Sequence, residues 1–318
     1  MAIKYNLTPV HGSINYLPGP QNIGVIVGAN DSDCAIVDSG LTKENGKAIL
    51  KALWEVGLRV VAILNTHSHA DHFGGNAHIV ASSNGGAVRI YAPPIEEAFM
   101  RYPLLEPTGL FAGAAPIKPL YSHFLYAPPS PIDVVLSPGP LDLPELGFSI
   151  EVVDLKGHAA GQMGYLAKGV LFVGDLVLPA AVIEKYKVLY CAGVTEHLAS
   201  LDRALTYADR VAAVVPGHSP TLTPAEFSEL VAINRARFVD TLDFIVAHLE
   251  AAGPQSSEAV LRAVCAHYDF GVTTAEAYYL LQPTIYAHLS CLHQQGRIGW
   301  RVADNTALWY FVEMKDPT

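Results

Sequence analysis

The run Val60-Val61-Ala62-Ile63-Leu64 is continuously apolar, as expected of a strand buried on both faces. It passes directly into Asn65-Thr66-His67-Ser68-His69-Ala70-Asp71-His72. Any fold for this chain must therefore deliver four ionisable side chains to one end of a buried strand. In extended chain, residues two apart point the same way, so His67 and His69 can converge on one ion. A turn just after them lets Asp71 and His72 aim at a second ion. Imidazole and carboxylate are natural ligands for zinc and its neighbours. An isolated His-x-His is more often surface decoration. Four such residues within six positions, ahead of Gly74-Gly75, are hard to explain structurally.

The first third alternates strand and helix. Ile23 to Val27 and Cys34 to Val37 are β-branched runs separated by Gly28-Ala29-Asn30-Asp31, which reads as a hairpin. Thr42 to Val56 carries Ile49, Leu50, Leu53 and Val56 at helical spacing, with Gly57 as the stop. Residues 93–140 differ: they hold Pro93-Pro94, Pro128-Pro129 and Pro138-Gly139-Pro140, together with Phe99, Tyr102, Phe111, Tyr121, Phe124 and Tyr126. A long irregular segment of this kind serves as a lid over a site, or as a packed insertion or dimer contact. Strand-like runs resume at Phe148 to Val153, Tyr165 to Ala167 and Val170 to Val173. Thr223-Pro224-Ala225-Glu226 has a cap, a proline at the first helical position and a capping-box glutamate. It opens a long helix that Gly253-Pro254 ends, which places a domain boundary between 1–252 and 254–318.

Past that boundary the pattern is helix, helix, helix, hairpin, the outline of a winged helix. Val260, Leu261, Val264, Cys265 and Tyr268 form one stripe, and Ile285, Leu289 and Leu292 another. Ile298, Trp300 and Val302 alternate ahead of an Asp304-Asn305 turn. A winged helix can read DNA, so charge matters. From 254 to 318 there are four Lys/Arg (Arg262, Arg297, Arg301, Lys315) against six Asp/Glu (Glu258, Asp269, Glu276, Asp304, Glu313, Asp316). The third helix, from about Thr284 to Gln295, has no Lys or Arg, where a DNA reader needs cations. The whole chain of 318 residues carries a formal net charge of −10, which repels phosphate backbones.

Hydrophobic residues make up 51% and charged ones 16%, so an extensive core is expected and disorder is not. No apolar run long enough to span a membrane is present, and MAIKYNLTPV lacks the pattern of a signal peptide. Cys34, Cys191, Cys265 and Cys291 are far apart and form no CxxC, which favours reduced thiols and a cytoplasmic location.

The run THSHADH resembles the His-x-His-x-Asp-His signature of the metallo-β-lactamase superfamily. Further motifs follow in the family's order: Gly157-His158 after a strand, Gly174-Asp175 at a strand end, and Gly217-His218 after Val214-Val215-Pro216. Upstream, Val37-Asp38-Ser39-Gly40 is similar to the family's early Asp-x-Gly strand end. The likeness covers about residues 20 to 250. It implies an α/β fold, the αββα metallo-β-lactamase sandwich, joined here to a small C-terminal winged-helix-like α+β domain. It also implies roles. His67, His69 and His158 would hold a first metal, Asp71, His72 and His218 a second, and Asp175 both. Asp38 would support the histidine loop from behind, since ligating imidazoles usually donate their other N–H to a carboxylate or carbonyl. Two divalent ions are implied, zinc first, with iron or manganese as alternatives. Such ions share and acidify a water, giving a hydroxide that attacks an electrophilic carbonyl or phosphorus. Asp71 and Asp175 are then the catalytic carboxylates.

Substrate contacts are less legible. Tyr165, Lys185, Tyr186, Lys187 and His197 are candidates, each with a plainer reading as core or solvated loop. Phe73-Gly74-Gly75-Asn76 resembles the thioester- and lactam-hydrolysing side of the superfamily, and no large insertion of the nuclease branches is seen. The C-terminal region lacks the basic glutathione-binding residues expected of a glyoxalase II. The expected function is a metal-dependent hydrolase using a metal-bridged hydroxide on a small or medium acyl substrate, a thioester, lactone or lactam. The alternatives are a nucleic-acid phosphodiesterase and an iron-dependent enzyme like a persulfide dioxygenase. The expected partner is a small molecule, not nucleic acid or membrane, and a homo-oligomer stays open.

Overall fold

The computed structural model describes residues 3–83 and 87–313. Lys315 and Asp316, part of the tail's charge count, lie outside the described residues. Two sheets face each other. The first has seven strands in the order of the chain: β1 (Thr8–His11), β2 (Ile14–Leu17), β3 (Ile23–Val27), β4 (Asp33–Val37), β5 (Arg59–Leu64), β6 (Arg89–Ala92) and β7 (Val134–Val135). The β1 to β4 pairings are antiparallel hairpins, and β4 to β7 run parallel. The second sheet comprises β8 (Gly139–Leu143), β9 (Phe148–Asp154), β10 (Met163–Ala167), β11 (Val170–Gly174) and β12 (Ala213–Pro216), with only β11 and β12 parallel.

The apolar pattern explains the layering. Ile14, Ile26, Val37, Leu64 and Tyr91 of the first sheet meet Ile150, Val152, Tyr165, Phe172 and Val215 of the second in one buried cluster. Each such side chain, fully removed from water, contributes roughly 1.5–3 kcal/mol. The outer face of the first sheet is covered by helices Lys43–Trp54 and Asn76–Ser82, through Val25, Ile36, Ile63 and Ile90 against Ile49, Leu53 and Ile79. The outer face of the second is covered by helices Val194–Leu205 and Pro224–Ala252, through Val153, Leu171 and Val173 against Leu201, Phe227 and Val231. The result is the expected αββα sandwich.

Local signals hold where they are strongest. Thr42 and Thr223 both close capping boxes, the second with Glu226 as read from the sequence. Asp304 and Asn305 turn the C-terminal hairpin with φ of 49° and 58°, the left-handed pair that matches strand twist. Residues 93–140 are less irregular than expected, since they contain helices Glu96–Arg101 and Leu105–Leu110 and a short 3-10 turn at Lys118–Tyr121.

The tail departs from its outline. After Gly253 come two helices, Ser257–His267 and Ala275–Gln294, then the hairpin β13 (Ile298–Ala303) and β14 (Thr306–Phe311). The sequence outline has three helices, the third from about Thr284 to Gln295. Here Pro283 sits inside one helix whose Leu281, Ile285, Leu289 and Leu292 are all buried. Packing on both sides of the proline outweighs the loss of one backbone hydrogen bond. These residues share a core with Phe238, Leu242, Ile245 and Leu249 of the long helix and with Ile183 to Val194. The Trp309 indole docks the hairpin by donating to Ser257 Oγ at 3.0 Å.

Candidate metal centre

Loops at one end of the two sheets bring together residues that the sequence spreads from His67 to His218. After β5, the Asn65 and Thr66 backbone is pinned on several sides. Asn65 N donates to Tyr91 O at 2.9 Å, Met163 N to Thr66 O at 3.0 Å, and Tyr165 Oη to Asn65 O at 2.5 Å. The loop therefore leaves the sheet in one conformation and turns into the short helix Ala70–Phe73.

Three histidine nitrogens meet first. His67 Nε2 and His158 Nε2 lie 3.0 and 3.1 Å from His69 Nδ1. A ring nitrogen has one in-plane site, so His69 Nδ1 cannot serve both neighbours well as a hydrogen-bond partner. Beside them stands a second group. His218 Nε2 is 3.3 Å from Asp71 Oδ2 and 3.2 Å from Asp175 Oδ2, and His72 Nε2 is 3.3 Å from Asp175 Oδ1 and 3.8 Å from Asp71 Oδ2. Asp175 lies between the groups, with its Oδ2 also 3.6 Å from His158 Nε2. All seven ligand candidates thus fall into overlapping sets: His67, His69 and His158; His67, His72 and Asp175; Asp71, His72 and His218.

The far nitrogens of three rings are anchored. Asp38 Oδ2 lies 2.8 Å from His72 Nδ1, Pro20 O lies 2.7 Å from His218 Nδ1, and Thr66 Oγ1 lies 3.0 Å from His67 Nδ1. Each anchor turns the opposite nitrogen, Nε2, toward the shared space. That is the way ligating imidazoles are oriented. Asp38 is itself held by Thr66 N at 2.8 Å and Thr66 Oγ1 at 2.9 Å, and it adopts a φ of 65°. A non-glycine residue in that region is uncommon and marks a constrained position. Gly217 is required for a different reason: a Cβ there would stand 2.2 Å from Asp175 Oδ1.

Electrostatics favour a cation here. Burial opposes charge on Asp175, yet His218 and His72 hold its carboxyl well below the ordinary range. Asp71 is likewise held down to about 2 despite partial burial, by His72 and His218. His218 is pushed up, chiefly by Asp175. His72 is pushed up to about 10, because Asp175, Asp71 and Asp38 together outweigh its burial. His67 and His158 go the other way, held well below the usual imidazole value by burial and by neighbouring histidines. The cluster thus combines rings that resist protonation with carboxylates that must be neutralised. His72 Nε2 and Asp175 Oδ1 are fully buried and, though 3.3 Å apart, make no hydrogen bond. Buried polar atoms without partners are costly, and inward-facing lone pairs of this kind fit divalent ions with nitrogen and oxygen preference.

The substrate candidates fare differently. Tyr165 is fully buried, and its hydroxyl is spent on Asn65, so it supports the loop from the core. His197 is buried behind the His158 loop, its ring 4.7 Å from Phe238. Lys185 and Tyr186 pair with each other at 3.2 Å, and Lys187 pairs with Glu184. None of the five belongs to the ligand sets. Among the described residues, Tyr190 is the non-histidine ring that packs against them, 5.1 Å from His69 and 5.5 Å from His158. Nothing in the sequence marks Tyr190 beyond its place after Asp175. Among the described residues, no aromatic of 93–140 makes ring contact with these histidines; Phe111 instead packs on Tyr279 at 5.2 Å. Gln21 and Glu96, which brace the loops, carry no sequence signal either.

Solved structures share this architecture over nearly the whole chain. A β-lactamase domain protein from Burkholderia ambifaria matches with a TM-score of 0.75 at 19% identity, covering 96% of this chain and 93% of the other. A metallo-β-lactamase family protein from Thermus thermophilus matches with a TM-score of 0.68 at 21% identity, covering 97% and 98%. Among curated proteins, a hydroxyacylglutathione hydrolase from Shewanella pealeana is 25% identical over 154 residues, 48% of this chain and 45% of its own length. The chain thus spans about half the length of such relatives. Residues 16–218, which hold every ligand candidate described above, match the sequence profile of the metallo-beta-lactamase superfamily, and the chain belongs to that superfamily.

Proposed function

We propose that this chain is a metal-dependent hydrolase of small or medium acyl substrates, with thioesters ahead of lactones and lactams. The observation that carries the reading is the three overlapping histidine and aspartate sets, with Asp175 Oδ2 3.6 Å from His158 Nε2 and 3.2 Å from His218 Nε2. In this reading His67, His69 and His158 would hold one ion, Asp71, His72 and His218 would hold a second, and Asp175 would serve both. Zinc suits the donor set, and iron or manganese are the alternatives. Such ions supply Lewis acidity toward a carbonyl oxygen and lower the pKa of water toward neutrality.

The chain's own residues supply the rest. Asp38, Thr66 and the Pro20 carbonyl fix ring orientation, so the ligands need not reorganise during turnover. Asp71 is the more exposed of the two ligand carboxylates, with its side chain 33% exposed against 7% for Asp175. It faces the cleft and orients the attacking water. Tyr190, edge-on against His69 and His158, would supply an apolar wall beside the acyl group.

The substrate order draws on the relatives. Several that are 25–27% identical carry the name hydroxyacylglutathione hydrolase, which is why thioesters head it. Within the described residues no helix is long and apolar enough to cross a membrane, and the net charge of −10 disfavours polyanionic substrates. We further place 254–318 as a small unit beyond Gly253-Pro254, docked on the long helix and not acting as a DNA reader. The test is metal analysis of purified protein, followed by a panel of thioesters, lactones, β-lactams and bis(p-nitrophenyl) phosphate. Turnover of the phosphodiester alone would overturn the acyl reading.

A further inference from the structure

We propose that Glu96 is a positioning residue that sets the geometry of the three-histidine site by clamping its two loops together. The inference rests on the metal-binding reading above. Glu96 is 2% exposed and opens the first helix of the 93–140 segment. Its Oε2 accepts from Ser68 N at 2.9 Å and from Ser68 Oγ at 2.5 Å. Its Oε1 accepts from Gly161 N at 2.7 Å. Ser68 stands between His67 and His69, and Gly161 stands three residues after His158. One carboxylate therefore joins the loop carrying two of the histidines to the loop carrying the third.

The surroundings are built to hold it there. A Cβ at Gly161 would stand 2.2 Å from Pro94 O and 3.3 Å from Glu96 Oε1, so the second loop can come this close only as glycine. Ile95, just before Glu96, adopts a φ of 72°, which a β-branched residue takes up only when its neighbours fix it. The three bonds to Glu96 are such a constraint. The chemistry is specific to a carboxylate. All three partners are donors, and only a group with two acceptor oxygens meets them all. Glutamine would turn an NH2 toward at least one N–H, and that loop would shift. Because His67 Nε2, His69 Nδ1 and His158 Nε2 meet within 3.0–3.1 Å contacts, a small loop displacement spreads them.

The test is cobalt(II) titration of chelator-stripped protein, reading affinity by chelator competition and coordination by the visible d–d bands. Wild type, Glu96→Gln and Ser68→Ala are compared, with thermal melts of each stripped protein. Glu96→Gln should bind cobalt at the three-histidine site roughly 10- to 100-fold more weakly, as when groups behind metal ligands are removed. Its absorption bands should move. Ser68→Ala keeps both backbone bonds and should show a smaller shift in the same direction. Unchanged affinity and bands in Glu96→Gln, even with a lowered melting temperature, would make Glu96 part of the scaffold only and overturn the proposal. If Glu96→Gln fails to fold, Ser68→Ala decides, and wild-type affinity and bands there overturn it. A wild type that takes up no cobalt overturns the metal reading, and this inference with it.

Discussion

Asp38 Oδ2 lies 2.8 Å from His72 Nδ1, and that contact decides which face of the imidazole meets Asp175. With Nδ1 engaged, Nε2 is left to look across at Asp71 and Asp175. Replacing Asp38 by asparagine keeps the size but loses one acceptor oxygen, and Thr66 already uses both. Asp38→Asn should weaken metal binding roughly 10- to 100-fold while the fold persists. Chelator competition against the wild type measures it. Equal affinity would separate Asp38 from the site.

Asp175 is the residue both ligand groups touch. Asp175→Asn removes the charge that pushes His218 up and replaces an acceptor with a donor. Metal content should fall for at least one ion, and any acyl hydrolysis should fall by orders of magnitude, about 100-fold or more. Elemental analysis beside initial rates checks both. A variant with full metal content and rate would remove Asp175 from the centre.

Two buried histidines away from the centre make a pH-dependent contribution to stability. Burial holds His197 and His288 down to about 4, and each leaves one ring nitrogen without a partner. The unfolded chain binds their protons near pH 6.5 and the folded chain only near pH 4. Stability is therefore lost as pH falls from about 6.5 to about 4, by an amount on the order of 3 kcal/mol per group. His288→Gln should keep a partner for Thr284 O and flatten this loss. Melting of stripped wild type and variant at about pH 7 and about pH 4.5 compares the slopes, and identical slopes would contradict the assignment.

The tail should not bind nucleic acid. Ile285, Leu289 and Leu292 are buried at 1% or less, so that stripe is core and not a reading surface. Fluorescence anisotropy with labelled duplex and single strands at moderate salt is expected to stay flat. Sub-micromolar binding that weakens steeply with salt would reinstate the phosphodiesterase reading.

The ligand candidates are legible in the sequence because each sits in a short local motif at a strand end: THSHADH after β5, Gly157-His158, Gly174-Asp175 after β11, and Gly217-His218 after β12. The layers are legible for a similar reason, since β5 and β11 are largely apolar on both faces. What escapes is long-range pairing. Glu96 reaches Ser68 across 28 residues and Gly161 across 65, and nothing in its neighbours announces either bond. Tyr165 has both a substrate reading and a plainer core reading, and the long-range bond from its hydroxyl to Asn65, which places it in the core, is not visible from the strand alone. The helix read from about Thr284 in fact begins at Ala275, and the packing of Leu281, Ile285 and Leu289 that carries it past Pro283 is tertiary.

We read seven side chains from four loops as a site for two divalent ions. Calorimetric titration of chelator-stripped protein with zinc tests it most directly. Tight uptake of two ions per chain is expected, with proton release as His72 and His218 exchange protons for metal. Uptake no greater than that of a His67→Ala, His72→Ala double variant would contradict it.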